Sequence, residues 1–284
     1  GVLTADAAGA ITIDSTVTSA NISTSAAGAV DLDETDAITL TDVDTNDGSI
    51  TVDAGGLITA TDVVASGGSG DSVTLSTTTG GAVATLVTGA DAVSITANAG
   101  DITIGSVTAT AGTLGVTATA GSINDAADDN TADFTAGGLI TLTAQDEIGV
   151  LGSGSDLDLE FAAGSSVNVS TTGTGAIDLD GLGALTLSDV DTVNGAITAS
   201  SAGALTVTDV ASGTNGNIVL STSSGDITGL ATVNAGSGNV TLNSAGAIVD
   251  DGSSGTVITG GVLTADAAGA ITIDSTVTSA NIST

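Results

Sequence analysis

The 284-residue chain contains no Lys, Arg, His, Pro, Cys, Met, Trp or Tyr. Without Cys or His it has no disulfides, no transition-metal ligands of the usual kind and no nucleophilic triad. Its 33 Asp and Glu therefore stand alone, giving a formal net charge of −33 that no internal salt bridge can answer. Nucleic acid is excluded as a partner on this ground, since phosphate binding runs on Lys and Arg. No apolar run approaches the ~18 residues of a membrane span, so direct membrane insertion is not expected. Phe134 and Phe161 are the only aromatics, so the core must be thin and filled by small branched side chains. Missing Pro suits strands whose every N–H donates to a neighbour. The absence of Lys and Arg also removes every trypsin site, an advantage outside the cell.

What is present is repetition. Gly1 to Thr24 (GVLTADAAGAITIDSTVTSANIST) returns unchanged as Gly261 to Thr284, a period of 260 residues. Residues 1–260 read as one complete repeat unit and residues 261–284 as the start of the next, a piece of a longer tandem array with no true boundary. Within the unit, apolar–x–apolar triplets recur at Val30-Leu32, Ile50-Val52, Val73-Leu75, Val93-Ile95, Leu114-Val116, Ile140-Leu142, Leu157-Leu159, Ile177-Leu179, Ile197-Ala199, Ile218-Leu220 and Val240-Leu242. Thr, Ser or Asp stands in the middle of most, the inward–outward alternation of a strand with one wet face. A second strand follows eight to ten residues later, as at Ile38-Thr39-Leu40, and a short third one near Val43, Val63, Val107, Val190 and Val210. Two or three short strands per ~22 residues, repeated without helices, predict an all-β, right-handed parallel β-helix of about 12 rungs per unit.

An older duplication lies inside the unit, with Ala29 to Gly80 aligning on Ala176 to Gly225. Asn194-Gly195 and Asn215-Gly216 read as turns needing positive φ. Two long steps, Leu3 to Val30 and Gly121 to Gly138, read as outward loops.

Phrases such as Gly238 to Ile248 (GNVTLNSAGAI) and Gly48 to Ile58 (GSITVDAGGLI) resemble the repeats of filamentous-haemagglutinin-type exoproteins and related giant bacterial surface proteins. The resemblance covers nearly the whole chain, in a pattern of Gly, Thr and aliphatics. It implies a right-handed β-helix, secretion across an outer membrane, and work as an adhesin, matrix or fibre shaft.

The sharpest local motifs are acidic. With Val43 inward, Asp42 and Asp44 share the outer face about 7 Å apart, and Asp62 lies one rung above Asp42 at ~4.8 Å. The copy repeats this with Asp189, Asp191 and Asp209. Oxygen-only ligands of this kind suit calcium; the alternative is a solvated acidic face screened by salt. Gly48 stands at the seventh place of an EF-hand-like loop rather than the sixth, and no Glu closes it. Gly67 to Asp71 resembles a calcium-binding nonapeptide but has its Asp one place early. Outward pairs Thr39 with Thr41, Thr59 with Thr61, Thr141 with Thr143 and Thr206 with Thr208 offer an ice-binding reading, set against the ordinary β preference of Thr. A glycosidase-like acid pair at Asp128 and Asp129 lacks the Arg, Lys, His or aromatic platform such sites use, so no enzyme is expected. Sequons at Asn21, Asn168, Asn239 and Asn281 follow from composition. The expectation is an extracellular structural shaft that self-associates end to end through open rungs, and laterally through divalent cations; a calcium-dependent adhesin is the other reading.

Overall fold

The computed structural model describes residues 1–127, 129–152, 156–162, 164–253, 255 and 257–284. Among them the regular elements are strands without a helix, and paired strands run parallel in solenoid turns, about 13 in all and ~21 residues apart. All apolar members of the eleven triplets are buried. The period-two alternation therefore does place one face of each strand inward, and each Val, Leu or Ile so buried contributes about 1.5–3 kcal/mol.

The chain divides into two compact units: Gly1–Ala127 with Asp133–Ala144, and Asp128–Ala132 with Gln145–Thr284. In the first, one column runs through Ile11, Val30, Ile50, Val73, Val93, Leu114 and Ile140. Beside it stand a column from Ile38 to Ile123 and one from Val43 to Phe134. In the second unit the corresponding columns run from Ile148 through Ile177 to Val240, from Leu185 to Ile248, and from Val169 through Val190 to Val233. Val43 and Val190 are fully buried. Their flanking Asp residues are thereby turned to the outside.

A buried hydroxyl recurs at the corners. Thr192 Oγ1 donates to the Gly195 carbonyl at 2.8 Å, Ser212 Oγ to Gly216 at 2.6 Å, Thr222 Oγ1 to Gly225 at 3.0 Å and Thr24 Oγ1 to Gly28 at 2.9 Å. Each satisfies a carbonyl that the bend takes out of the strand ladder. Glycine follows because the corners stack closely. A Cβ on Gly195 would lie 1.8 Å from the Gly175 carbonyl oxygen, and one on Gly216 2.0 Å from that of Gly195. This corrects the turn reading of Asn194-Gly195 and Asn215-Gly216: neither glycine has positive φ, and backbone approach between neighbouring turns is what excludes a side chain.

The step from Leu3 to Val30 also differs from expectation. It holds no outward loop but an extra, short turn: Val2–Ala7 pairs with Ser19–Ala27 only 17 residues on, while Ile11–Ser15 pairs with Val30–Glu34. Ile11, not Leu3, heads the triplet column. Among the described residues between Asp125 and Phe134, in contrast, no strand forms, and Asp129, Asn130 and Thr131 are exposed, as a loop requires.

Candidate functional site

The strand Ile38–Asp47 carries Asp42 and Asp44. Asp42 stands opposite Asn21 on one side, and because Val43 pairs with Val63, it faces Asp62 on the other. Asp44 stands between Ser23 and Val64. Asn21 Nδ2 donates to Asp42 Oδ2 at 3.3 Å. Asp62 Oδ1 is buried without a hydrogen-bond partner. A shallow recess of about 320 Å³ is lined by Asp44, Asp62, Thr24, Thr45, Asn46 and Ser66. Partial burial, then the Asp42 and Asp62 charges, push the Asp44 carboxyl from the ordinary 3.8 up to about 6.

The second copy reproduces this with one change, Ala211 in the place of Val64. Asp189 stands opposite Asn168, Asp191 between Ser170 and Ala211, and Val190 on Val210 sets Asp189 against Asp209. Burial first, and the charges of Asp189 and Asp209 next, raise Asp191 to about 6. Burial and Asp189 also raise Asp209. The duplicated arrangement is therefore an Asn–Asp–Asp column beside a Ser–Asp pair, one turn deeper than the aligned sequence blocks. Asn21-Ile22-Ser23-Thr24 and Asn168-Val169-Ser170-Thr171 carried that signal, hidden by its reading as sequons.

A third cluster escaped sequence reasoning. Asp158 and Asp178 occupy the middle of triplets, where a wet residue is expected, yet both are buried. A nine-residue step, Ile148 to Leu157, stands against the two-residue step from Ile177 to Leu179. Residues 149–152 of it lie over the outer face: Gly152 N–H donates to Asp178 Oδ2 at 3.3 Å, and Gly149 packs on the Asp178 carbonyl. Asp158 pairs in register with Asp180. Ligand oxygens of Asp156, Asp158 and Asp180 lie within 4.8 Å of one another. Burial, opposed by the Gly152 N–H and reinforced by Asp156 and Asp180, raises Asp178 to about 6. Asp-x-Asp one turn apart, at 156/158 and 178/180, was the available signal.

A fourth acidic column, Asp14, Asp33 and Asp53, borders an open groove of about 680 Å³. Beside it Glu34 is buried but fully served, by the Ser15 hydroxyl at 2.5 Å, Val17 N–H at 2.9 Å and Asp36 N–H at 3.4 Å. Burial would raise its pKa, and these donors outweigh burial and lower it.

Other expected features are dispersed. Asp71 is buried and accepts from Gly68 N–H at 2.6 Å, closing its own loop. Thr39 stacks on Thr59, but the next residue in that column is Val83, and Thr141 neighbours Gly115. Asp128 lies outside the described residues; Asp129 accepts from the Thr131 hydroxyl and N–H, which lower its pKa, unlike a general acid. No family model, curated protein or solved structure matches the chain.

Proposed function

We propose that the chain is part of an extracellular structural shaft, in a giant repetitive surface protein of filamentous-haemagglutinin type or in a self-assembling filament. The observation that carries this is the parallel stacking of polar-sleeved turns in a chain whose first 24 residues recur unchanged at its end. Such turns transmit load through backbone hydrogen-bond ladders and need no specific ligand. The clefts are shallow and acidic, and lack His, Cys, Lys, Arg and aromatic groups, so binding or catalysis of organic substrates gains no support from them.

The acidic columns give the skin its second property. Carboxylates in register at ~4.8 Å repel by roughly 1 kcal/mol in water and several-fold more near the protein surface. A hard divalent cation such as calcium reverses that sign, at Asp42, Asp44 and Asp62 and at Asp189, Asp191 and Asp209. Shafts then stay apart at low calcium and bundle when the ion bridges them. An image of the native assembly tests the first statement: a fibre or spike outside the cell supports it, and a dispersed intracellular protein refutes it. Light scattering tests the second; bundling must appear with millimolar calcium and vanish with chelator, and scattering indifferent to both discards calcium bridging.

A further inference from the structure

We propose that the corner Asn215-Gly216 modifies itself: Asn215 closes a succinimide with the Gly216 nitrogen and opens to aspartate or isoaspartate, and this conversion releases Asn194, one turn away, to do the same. The chemistry needs only water and is independent of the shaft reading.

Of the asparagines, only Asn194 and Asn215 precede a glycine. That neighbour matters because the attacking atom is the next residue's main-chain nitrogen, and a side chain beside it would obstruct the approach. Neither the Gly195 nor the Gly216 N–H donates to an atom of the described residues, so both nitrogens are available. The two corners occupy consecutive turns, with Ile197 paired on Ile218 just after them. Gly195 packs against Gly175, Gly216 against Gly195 and Gly238 against Gly216. The backbone setting is therefore common to both.

The side chains differ. Asn194 Oδ1 accepts from the Asn215 N–H at 2.9 Å and from the Thr214 hydroxyl at 3.1 Å. Asn215 Oδ1 accepts from the Ser237 hydroxyl at 2.9 Å, a proton shared with the Thr214 carbonyl at 3.2 Å. Asn215 and Ser237 are exposed, whereas Asn194 is half-buried. Ring closure requires Cγ to swing from these donors toward the glycine nitrogen. Asn194 must leave two, one of them a main-chain N–H fixed in the next turn. Asn215 leaves one, and a hydroxyl that rotates in solvent can follow it and polarise the carbonyl under attack.

In the reaction Gly216 N bonds to Asn215 Cγ, the Cγ–Nδ2 bond breaks, and Nδ2 departs with the Gly216 proton as ammonia. Water then adds to one of the two ring carbonyls and opens its C–N bond. Opening at Cγ restores the main chain with aspartate; opening at the main-chain carbon leaves isoaspartate, which is one carbon longer through the corner. One water enters and one ammonia leaves, and a neutral amide becomes a carboxylate. Closing the ring or lengthening the chain draws residue 215 out of the corner that aligned its N–H with Asn194 Oδ1. The second asparagine is thus freed after the first.

An endoprotease that cuts before Asp191, Asp209 and Asp226 places the two sites in separate peptides, 191–208 and 209–225. The full chain is held folded in mildly alkaline buffer, which favours deprotonation of the glycine nitrogen, and each peptide is followed by mass for amide becoming carboxylate. Aspartate adds a cut before residue 215 that isoaspartate resists, so the two products are counted separately. Asn215 should at first convert at least about fivefold faster than Asn194, the factor for one further hydrogen bond to break. In urea the two should convert at similar rates. Thr214→Val removes one donor from Asn194 and should raise its early rate several-fold. In the parent Asn194 should speed up as Asn215 is consumed, and in Asn215→Gln, with parental melting, it should stay slow throughout. Equal rates in the folded chain, a preference that persists in urea, no conversion of folded Asn215, or an unchanged Asn194 rate in Thr214→Val overturns the site. Acceleration of Asn194 in Asn215→Gln as in the parent overturns the release.

Discussion

Lowering the pH from 7.5 to 5.0 should stabilise this protein, against the usual course of acid denaturation. Asp44, Asp178 and Asp191 have carboxyls raised from 3.8 to about 6 in the folded chain. A raised acid pKa means the unfolded chain ionises first, so stability is lost as pH rises from about 4 to about 6, and the penalty is constant above that. A two-unit shift corresponds to roughly 3 kcal/mol at full strength. Asp44 and Asp191 are exposed, and solvent screening reduces each to about 1 kcal/mol. From pH 7.5 to 5.0 only the upper half of the window is crossed, giving about 0.5 kcal/mol each for Asp44 and Asp191 and about 1.5 kcal/mol for the buried Asp178, about 2.5 kcal/mol together. For a chain of this size that is a rise of about 5–10 °C in melting temperature. The measurement is far-UV circular dichroism melting with chelator present. Asp44→Asn with Asp191→Asn should raise Tm at pH 7.5 and remove about 1 kcal/mol of the response, leaving the share of Asp178. A Tm that falls at pH 5.0, or a double variant with an undiminished response, would refute the assignment of the penalty to these columns.

Glu34 has the opposite sign: its lowered pKa contributes stability above about 4.5 that disappears as pH falls below it. Glu34→Gln should therefore lose about 2 kcal/mol at pH 7, seen in urea unfolding, and show less further loss in acid than the parent. Gly195→Ala drives a Cβ to 1.8 Å from the Gly175 carbonyl oxygen and should cost about 1–3 kcal/mol, whereas Gly183→Ala, with open space around it, should cost under about 1 kcal/mol. Thr192→Val removes the buried donor to the Gly195 carbonyl and should cost about 1–3 kcal/mol by leaving that oxygen unserved; an unchanged midpoint would mean that the corner hydroxyls are ornamental.

The columns were legible because a strand has a period of two and the rungs are evenly spaced. Val43 and Val63 lie twenty residues apart, so their stacking, and the opposition of Asp42 to Asp62, follow once Val43 points inward. The short first turn was not legible, since Leu3 stacks on Ala20 only 17 residues on, in a strand without an apolar triplet to mark it, and an anchor spacing near 22 passes over it. The burial of Asp158 and Asp178 was not legible either. For Asp178 it depends on residues 149–152, which carry no apolar period to betray that they lie against that side chain. The corner glycines were located correctly and explained wrongly, because sequence identifies a residue without a side chain but not whether dihedral angle or a neighbouring backbone requires it.

With no cation in the chain, the length of a carboxylate column is the remaining means of limiting axial repulsion. Asp14, Asp33 and Asp53 are followed by Ser76. Asp189 and Asp209 are preceded by Asn168 and followed by Thr232. Asp158 and Asp180 give way to Ser200, whose hydroxyl donates to Asp180. Asp31 is isolated between Thr12 and Thr51. Each of these runs ends in a hydroxyl within three turns, and the Asp42–Asp62 run ends on Leu86, before like charges accumulate along a column. Extended runs would be tolerable only with a bound divalent ion on every pair, which would make folding itself conditional on that ion. Runs of two or three avoid that requirement and still offer a bridging ion two carboxylates at a time, as the proposed bridging of shafts by calcium requires.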